Sequence, residues 1–276
     1  MHDLPVQKSH RTPGRAAGSN PDVRFDRLHA EAVDDGWTPD ADLPVLRTEV
    51  TDEVARSVIS RNTSPDLSFD RAINPYRGCE HGCIYCYARP SHAFLGLSPG
   101  LDFETKLIAR PNAAEQLHKE LSHPRYEPKI IAIGTNTDAY QPIEKTREIM
   151  REILQVLSAF NHPVGIVTKG TLIERDADIL APMAAKGLVR VGMSITTLDP
   201  KTSRVMEPRV PLPAARLRTI RRLTDAGIPV RVMVAPIVPA LTDHELEAIL
   251  VASKHSGAVA ASSTVLRLPR EVATLF

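Results

Sequence analysis

The chain is poor in cysteine: it has three in 276 residues, and all fall between Cys79 and Cys86. An odd, clustered set excludes a disulfide framework, which distributes an even number of cysteines along the chain. Aromatic residues are also scarce, at 4%. Aliphatic side chains and Ala must therefore build the core, and stacking platforms for single-stranded nucleic acid are few. Charge of either sign is almost cancelled, 34 Lys+Arg against 33 Asp+Glu, for a formal net charge of +1. Bulk electrostatics give no case for nucleic acid or an anionic membrane. No stretch approaches the ~20 consecutive apolar residues that span a bilayer, and residues 1–20 are polar rather than an apolar signal segment. A cytoplasmic, soluble protein is expected.

What is present is a globular composition, 42% hydrophobic, in a chain long enough to bury roughly 75% of its unfolded surface. Residues 1–45 read as a poorly ordered leader, with Lys8, Arg11 and Arg15 among Pro, Gly and Ser and an acidic stretch around Asp34, Asp35 and Asp40. Residues 46–276 read as one domain. Within it, short β-branched runs alternate with amphipathic segments: Ile130–Ile133, Val164–Thr168, Leu188–Ile195, Val230–Val234 and Val265–Leu268, preceded by a strand leading into Asn74–Gly78. Ile149, Met150, Ile153, Leu154, Leu157 and Phe160 repeat at helical spacing. Leu217, Ile220 and Leu223 form a second stripe stopped by Gly227, and Thr242 with Glu245 reads as a capping box before Leu246, Ile249 and Leu250. Strand alternating with helix predicts parallel strands with right-handed crossovers. Six strands fall short of the eight of a closed barrel, so the expected fold is α/β, a partial, open, about six-stranded β/α TIM-type barrel. Ligands of such folds bind at the C-terminal strand ends, here Thr135–Asp138, Lys169, Ser194 with Thr196, and Pro236 onward.

The cysteines read Asn74-Pro-Tyr-Arg-Gly-Cys79-Glu-His-Gly-Cys83-Ile-Tyr-Cys86-Tyr87, that is, Cys-x3-Cys-x2-Cys in a loop after the first strand. Three close thiolates suit an iron–sulfur cluster; a four-iron cluster would keep one iron open to a small chelating ligand. The alternative is structural zinc with His81 or His92 as fourth ligand, although closed zinc sites usually draw on pairs of Cys-x2-Cys.

This motif, with aromatic Tyr85 before the last cysteine, resembles the signature of the radical S-adenosylmethionine (radical SAM) superfamily. The wider pattern runs from Asn62-Thr-Ser-Pro-Asp through Ala88-Arg-Pro, Leu97-Ser-Pro-Gly, Gly134-Thr-Asn-Thr-Asp and Met206-Glu-Pro-Arg. It resembles a bacterial group related to spore photoproduct lyase, over about residues 50–276. The resemblance implies a 4Fe-4S cluster on Cys79, Cys83 and Cys86. It also implies reductive cleavage of S-adenosylmethionine to a 5′-deoxyadenosyl radical, and an electron donor such as flavodoxin or ferredoxin. Thr137 and Asp138 are assigned to the methionine ammonium, Lys169 and Ser194 to the carboxylate and ribose, and Tyr85 with Val234–Ile237 to the adenine. Without it, Asp138 reads equally as a helix cap, Lys169 as a solvated lysine, Ser194 as a cap and Tyr85 as core packing. Glu207, Arg209 and Arg267 are substrate candidates or plain ion pairs.

Spore photoproduct lyase carries a further cysteine on the second-strand loop as hydrogen donor, and Thr135 stands at that position here. Thiol-mediated hydrogen return is thus unavailable, which leaves return from 5′-deoxyadenosine, or quenching by another route such as Tyr87 or Tyr140, and the substrate open. The second functional reading is a non-catalytic iron–sulfur or zinc protein, a redox sensor or nucleic-acid adaptor. Arg270–Phe276 opens a helical pattern and stops without a cap, so a missing C-terminal part is expected.

Overall fold

The computed structural model describes residues 14–25, 46–65, 67 and 69–276. In chain order its strands are β1 (Glu49–Asp52), β2 (Ile59–Arg61), β3 (Arg71–Ile73), β4 (Tyr76–Arg77), β5 (Lys106–Ala109), β6 (Ile131–Ile133), β7 (Val164–Thr168), β8 (Val189–Ser194), β9 (Val230–Ile237) and β10 (Ala260–Val265). The seven-stranded sheet has the order β10-β9-β8-β7-β6-β3-β2, and only the β2–β3 pair is antiparallel. Edge strands β2 and β10 do not pair with each other, so the barrel is partial and open, as the strand count predicts. A three-stranded sheet, β1-β5-β4, stands beside it.

The runs of Val, Ile and Ala become strands because both sheet faces are covered. All of β6 and residues 191–194 of β8 are buried. The helix Ile149–Ala159 lays Ile149, Met150, Ile153, Leu154 and Leu157 against this sheet, the stripe read from the sequence without its last member, since Phe160 stands past the helix end and is exposed. The helix Pro213–Asp225 opens on a proline in its first turn and closes before Gly227. No helix among the described residues is long and apolar enough to cross a membrane.

Three expectations are corrected. The last parallel strand is Ala260–Val265 rather than Val265–Leu268: Leu266 and Leu268 leave the sheet to pack against the cysteine loop. The capping box does not form, because each of its members has a stronger local use. Thr242 Oγ1 accepts from Val238 N at 2.9 Å, and the Glu245 carboxylate accepts from Thr197 Oγ1 and Leu198 N. The leader is not uniform either. Residues 14–25 are docked, with Arg15, Ala17 and Val23 buried, because loop 82–104 offers partners to their backbone; residues 1–13 and 26–45 lie outside the described residues.

Candidate functional site

Cys79, Cys83 and Cys86 lie on one loop between β4 and a 3-10 helix, Arg89–Leu95. Gln141 clamps the loop's start: its Oε1 accepts from Glu80 N at 2.9 Å and its Nε2 donates to Gly78 O at 3.2 Å. Arg89 clamps the middle. Its Nε donates to Cys83 O at 3.0 Å, Nη2 to Gly82 O at 3.1 Å, and Nη1 to Pro99 O and Gly100 O. Nη2 also pairs with Glu104 Oε1 at 2.5 Å, and both side chains are fully buried. Gly82 has φ +65°, and a Cβ there would meet Glu104 Oε2 at 2.7 Å, so this turn takes glycine for both reasons. Glu104 in turn accepts from Ala16 N and Ala17 N, and Arg15 Nη1 donates to Glu104 O at 2.7 Å. The segment 14–25 is thereby sewn to the back of the cysteine loop.

Cys79 and Cys83 are buried and Cys86 is half-buried. Burial, followed by the proximity of Asp138, raises the Cys79 thiol well above its ordinary pKa; burial pushes Cys83 up to about 12. Any metal bound by these thiols must therefore displace their protons. The donor set fits iron: three sulfur ligands on a loop whose backbone is fixed by Gln141 and Arg89. Each histidine weighed as a zinc ligand has another partner for one ring nitrogen. His81 Nδ1 lies 3.2 Å from Asp138 Oδ2, and His92 Nε2 lies 2.9 Å from Lys106 O. Among the described residues no three His, Cys, Asp or Glu side chains converge as a ready mononuclear metal site.

The C-terminal strand ends supply the rest. Asp138, after β6, is bonded all round: Oδ1 accepts from Thr168 Oγ1 at 2.6 Å and Tyr140 N at 2.9 Å, and Oδ2 from Lys169 N at 2.7 Å. Burial opposes its charge, but His81, Thr168 and Lys169 N outweigh that and hold the carboxyl well below the usual range. Thr137, which is buried, donates to Tyr76 O at 2.9 Å. Lys169, after β7, holds its ammonium 5.8 Å from the Tyr85 ring centroid. Burial works against this charge, yet Cys83, Glu207 and Asp138 together raise the Lys169 pKa. Ser194, ending β8, is buried, and its carbonyl accepts from Arg216 Nη1 at 2.9 Å.

The structure thus brings Tyr85, Lys169, Asp138 and the cysteines into one neighbourhood, and it gives Glu207 the ion-pair reading. Glu207 is fully buried, pairs with Arg216, and accepts hydrogen bonds from Tyr85 Oη and Thr196 Oγ1. Arg209 pairs with Glu80 at 3.2 Å, while Arg267 is exposed. Tyr87 is exposed and donates to the Thr135 carbonyl; Tyr140 donates to Asp176 at 3.1 Å and is buried. Arg89 stands in the Ala88-Arg-Pro of the wider pattern with no role assigned to it, and Glu104, Gln141 and Arg216 were not singled out from the sequence.

The sequence profile of the Radical SAM superfamily matches residues 73–251. Uncharacterized protein Rv2578c of Mycobacterium tuberculosis is 42% identical over 177 residues, 64% of this chain and 52% of the relative. The match therefore spans about half of that relative's length. Uncharacterized protein MJ0683 of Methanocaldococcus jannaschii is 26% identical over 200 residues, covering 72% of this chain and 71% of the relative. Among solved structures, a spore photoproduct lyase mutant with bound AdoMet and dinucleoside spore photoproduct superposes with TM-score 0.61 at 17% identity, over 82% of this chain and 64% of that one. Streptococcus suis SuiB bound to S-adenosylmethionine gives TM-score 0.51 at 14% identity, over 71% and 40%. At these identities the structural likeness speaks for the fold.

Proposed function

This chain belongs to the radical SAM superfamily, and from that premise we propose that it is an iron–sulfur enzyme that cleaves S-adenosylmethionine reductively and acts on a further substrate. The observation that carries the reading is the three-cysteine loop, held rigid by Gln141 and Arg89, beside the C-terminal end of β7 and its cation Lys169. Cys79, Cys83 and Cys86 would hold a 4Fe-4S cluster, which when bound supplies the low-potential electron that a sulfonium C–S cleavage requires. An electron donor of the flavodoxin or ferredoxin kind belongs to this proposal.

The chain's own residues bind and orient. Lys169 offers a compact ammonium to the methionine carboxylate. Ser194 faces the ribose, and Tyr85 with residues 234–237 flanks the adenine. Thr137 and Asp138 frame the ammonium. Because the Asp138 carboxylate already fixes Lys169 N and Thr168, its part is to set the loop that receives the amine. With Thr135 where a donor cysteine would stand, repair of spore photoproduct by a thiol route is not proposed.

The test is anaerobic reconstitution with iron and sulfide. A brown protein with absorbance near ~400 nm is expected, lost when any one of the three cysteines is changed to Ala. Reduced protein given S-adenosylmethionine should release methionine and 5′-deoxyadenosine. Single-cysteine variants that keep full iron and colour would refute the metal assignment. A stable cluster without S-adenosylmethionine binding would favour a non-catalytic redox role.

A further inference from the structure

The three most exposed aromatic residues among those described, Phe94 at 73%, Tyr87 at 62% and Phe25 at 57%, line a single cleft of about 400 Å³. In a chain with only 4% aromatics this gathering is not what scattered surface residues give. The cleft joins three segments: Phe25 with Arg24, Phe94 with Pro90, and Arg270. The Phe25 and Phe94 rings stand 5.4 Å apart at 40°. The Arg24 guanidinium carbon lies 4.8 Å from one ring centroid and 5.1 Å from the other, and its Nη2 is pinned to Pro90 O at 3.1 Å. Arg270, on the C-terminal segment, has φ +52°, an uncommon conformation for a long side chain. Among the described residues that line the cleft, none is acidic. Its wall begins one residue after Cys86, at Tyr87, whose hydroxyl reaches the Thr135 carbonyl at the end of β6.

We propose that this cleft binds a planar aromatic ring carrying a negative charge, the ring against Phe94 and Phe25 and the anion between Arg24 and Arg270. Offset stacking rewards a flat ring, and two guanidinium groups with no acid among the wall residues reward an anion. That the occupant is the enzyme's substrate rests on the proposed function; that the cleft binds it does not.

The probe is 1-naphthyl phosphate, titrated by fluorescence into reconstituted protein kept anaerobic, before reductant or S-adenosylmethionine is added. Saturable binding is expected, with inorganic phosphate and 1-naphthol each at least about tenfold weaker. Phe94→Ala should weaken naphthyl phosphate by about tenfold or more, and Arg270→Ala should bring its affinity toward that of naphthol. Both side chains are exposed, so unfolding midpoints should match the parent and show that the variants are folded. Equal affinity for naphthol and naphthyl phosphate, or an unchanged Phe94→Ala, would overturn the proposal. Absent binding in a protein that still cleaves S-adenosylmethionine sinks the cleft alone. Binding without cleavage sinks the proposed function and leaves the cleft.

Discussion

Arg89 commits all of its donors to the protein: Nε to Cys83 O, Nη1 to two carbonyls, Nη2 to Gly82 O and Glu104. Truncating it strands the fully buried Glu104 carboxylate and four loop carbonyls. Removing one partner of such a buried pair costs about 3–5 kcal/mol. Arg89→Ala should therefore lower stability by that order in urea unfolding, and a loss under 1 kcal/mol would show the pair to be incidental. Lys169 is the opposite case. Among the described residues no carboxylate lies within ion-pair distance of its ammonium, which faces the Tyr85 ring instead. A cation kept charged and unpaired beside the cysteines is available to a ligand carboxylate. Lys169→Ala should weaken S-adenosylmethionine binding by roughly 1.5–3 kcal/mol, about tenfold to a hundredfold, with little change in unfolding. Calorimetry giving the parent affinity with an intact cluster would remove Lys169 from the site.

Between elements, the tightest approach in the sheet is where β6 ends against β7. Gly134 has φ +85°, and a Cβ there would fall 1.9 Å from the Val167 carbonyl oxygen. Gly187, also left-handed at φ +71°, has open space around it. Gly187→Ala should cost only the backbone term, about 1–2 kcal/mol, whereas Gly134→Ala must also push β7 aside and should cost clearly more. Equal urea midpoints for the two variants would contradict the geometry. The elements themselves were legible wherever burial imposed a period: Val164–Thr168 and the Ile149–Ala159 stripe face the core as read. β10 was misplaced because Ala260–Val265 is mostly exposed and carries Ala and Ser where a buried strand would carry Val or Ile. The cysteine spacing was legible because all three cysteines sit in eight residues. The clamps were not, since Gln141 meets Glu80 across 61 residues and Glu104 meets Ala17 across 87.

At the scale of the whole molecule, carboxylates locked against cations and donors decide the response to acid. Glu207 is buried and Asp138 half-buried, and yet both are held below their ordinary pKa, Asp138 by His81 and its hydrogen bonds, Glu207 chiefly by Arg216 and then Lys169, in both cases against the cost of desolvation. A carboxylate depressed in the folded state binds fewer protons there than in the unfolded chain. Its contribution is complete above the unfolded value and is lost as pH falls toward the folded one. Glu144 has the reverse sign: burial raises its pKa, so it favours the folded state slightly as pH falls. It is outnumbered, because Asp70, Glu115, Asp178 and Asp199 are also lowered by their partners. Stability should begin to decline below roughly pH 6.5, the ordinary histidine range, because burial lowers the pKa of His92 and His162 and the unfolded chain takes up their protons first, and it should decline further below roughly pH 4, the ordinary carboxylate range. The exposed pairs, such as Glu115 with Lys119, are screened by salt and contribute little, while the enclosed Asp138 and Glu207 contacts are not screened. Urea midpoints measured from pH 7 to pH 3 should therefore fall by nearly the same amount at low and at ~1 M salt; a decline that high salt abolishes would place the acid sensitivity in the surface pairs instead.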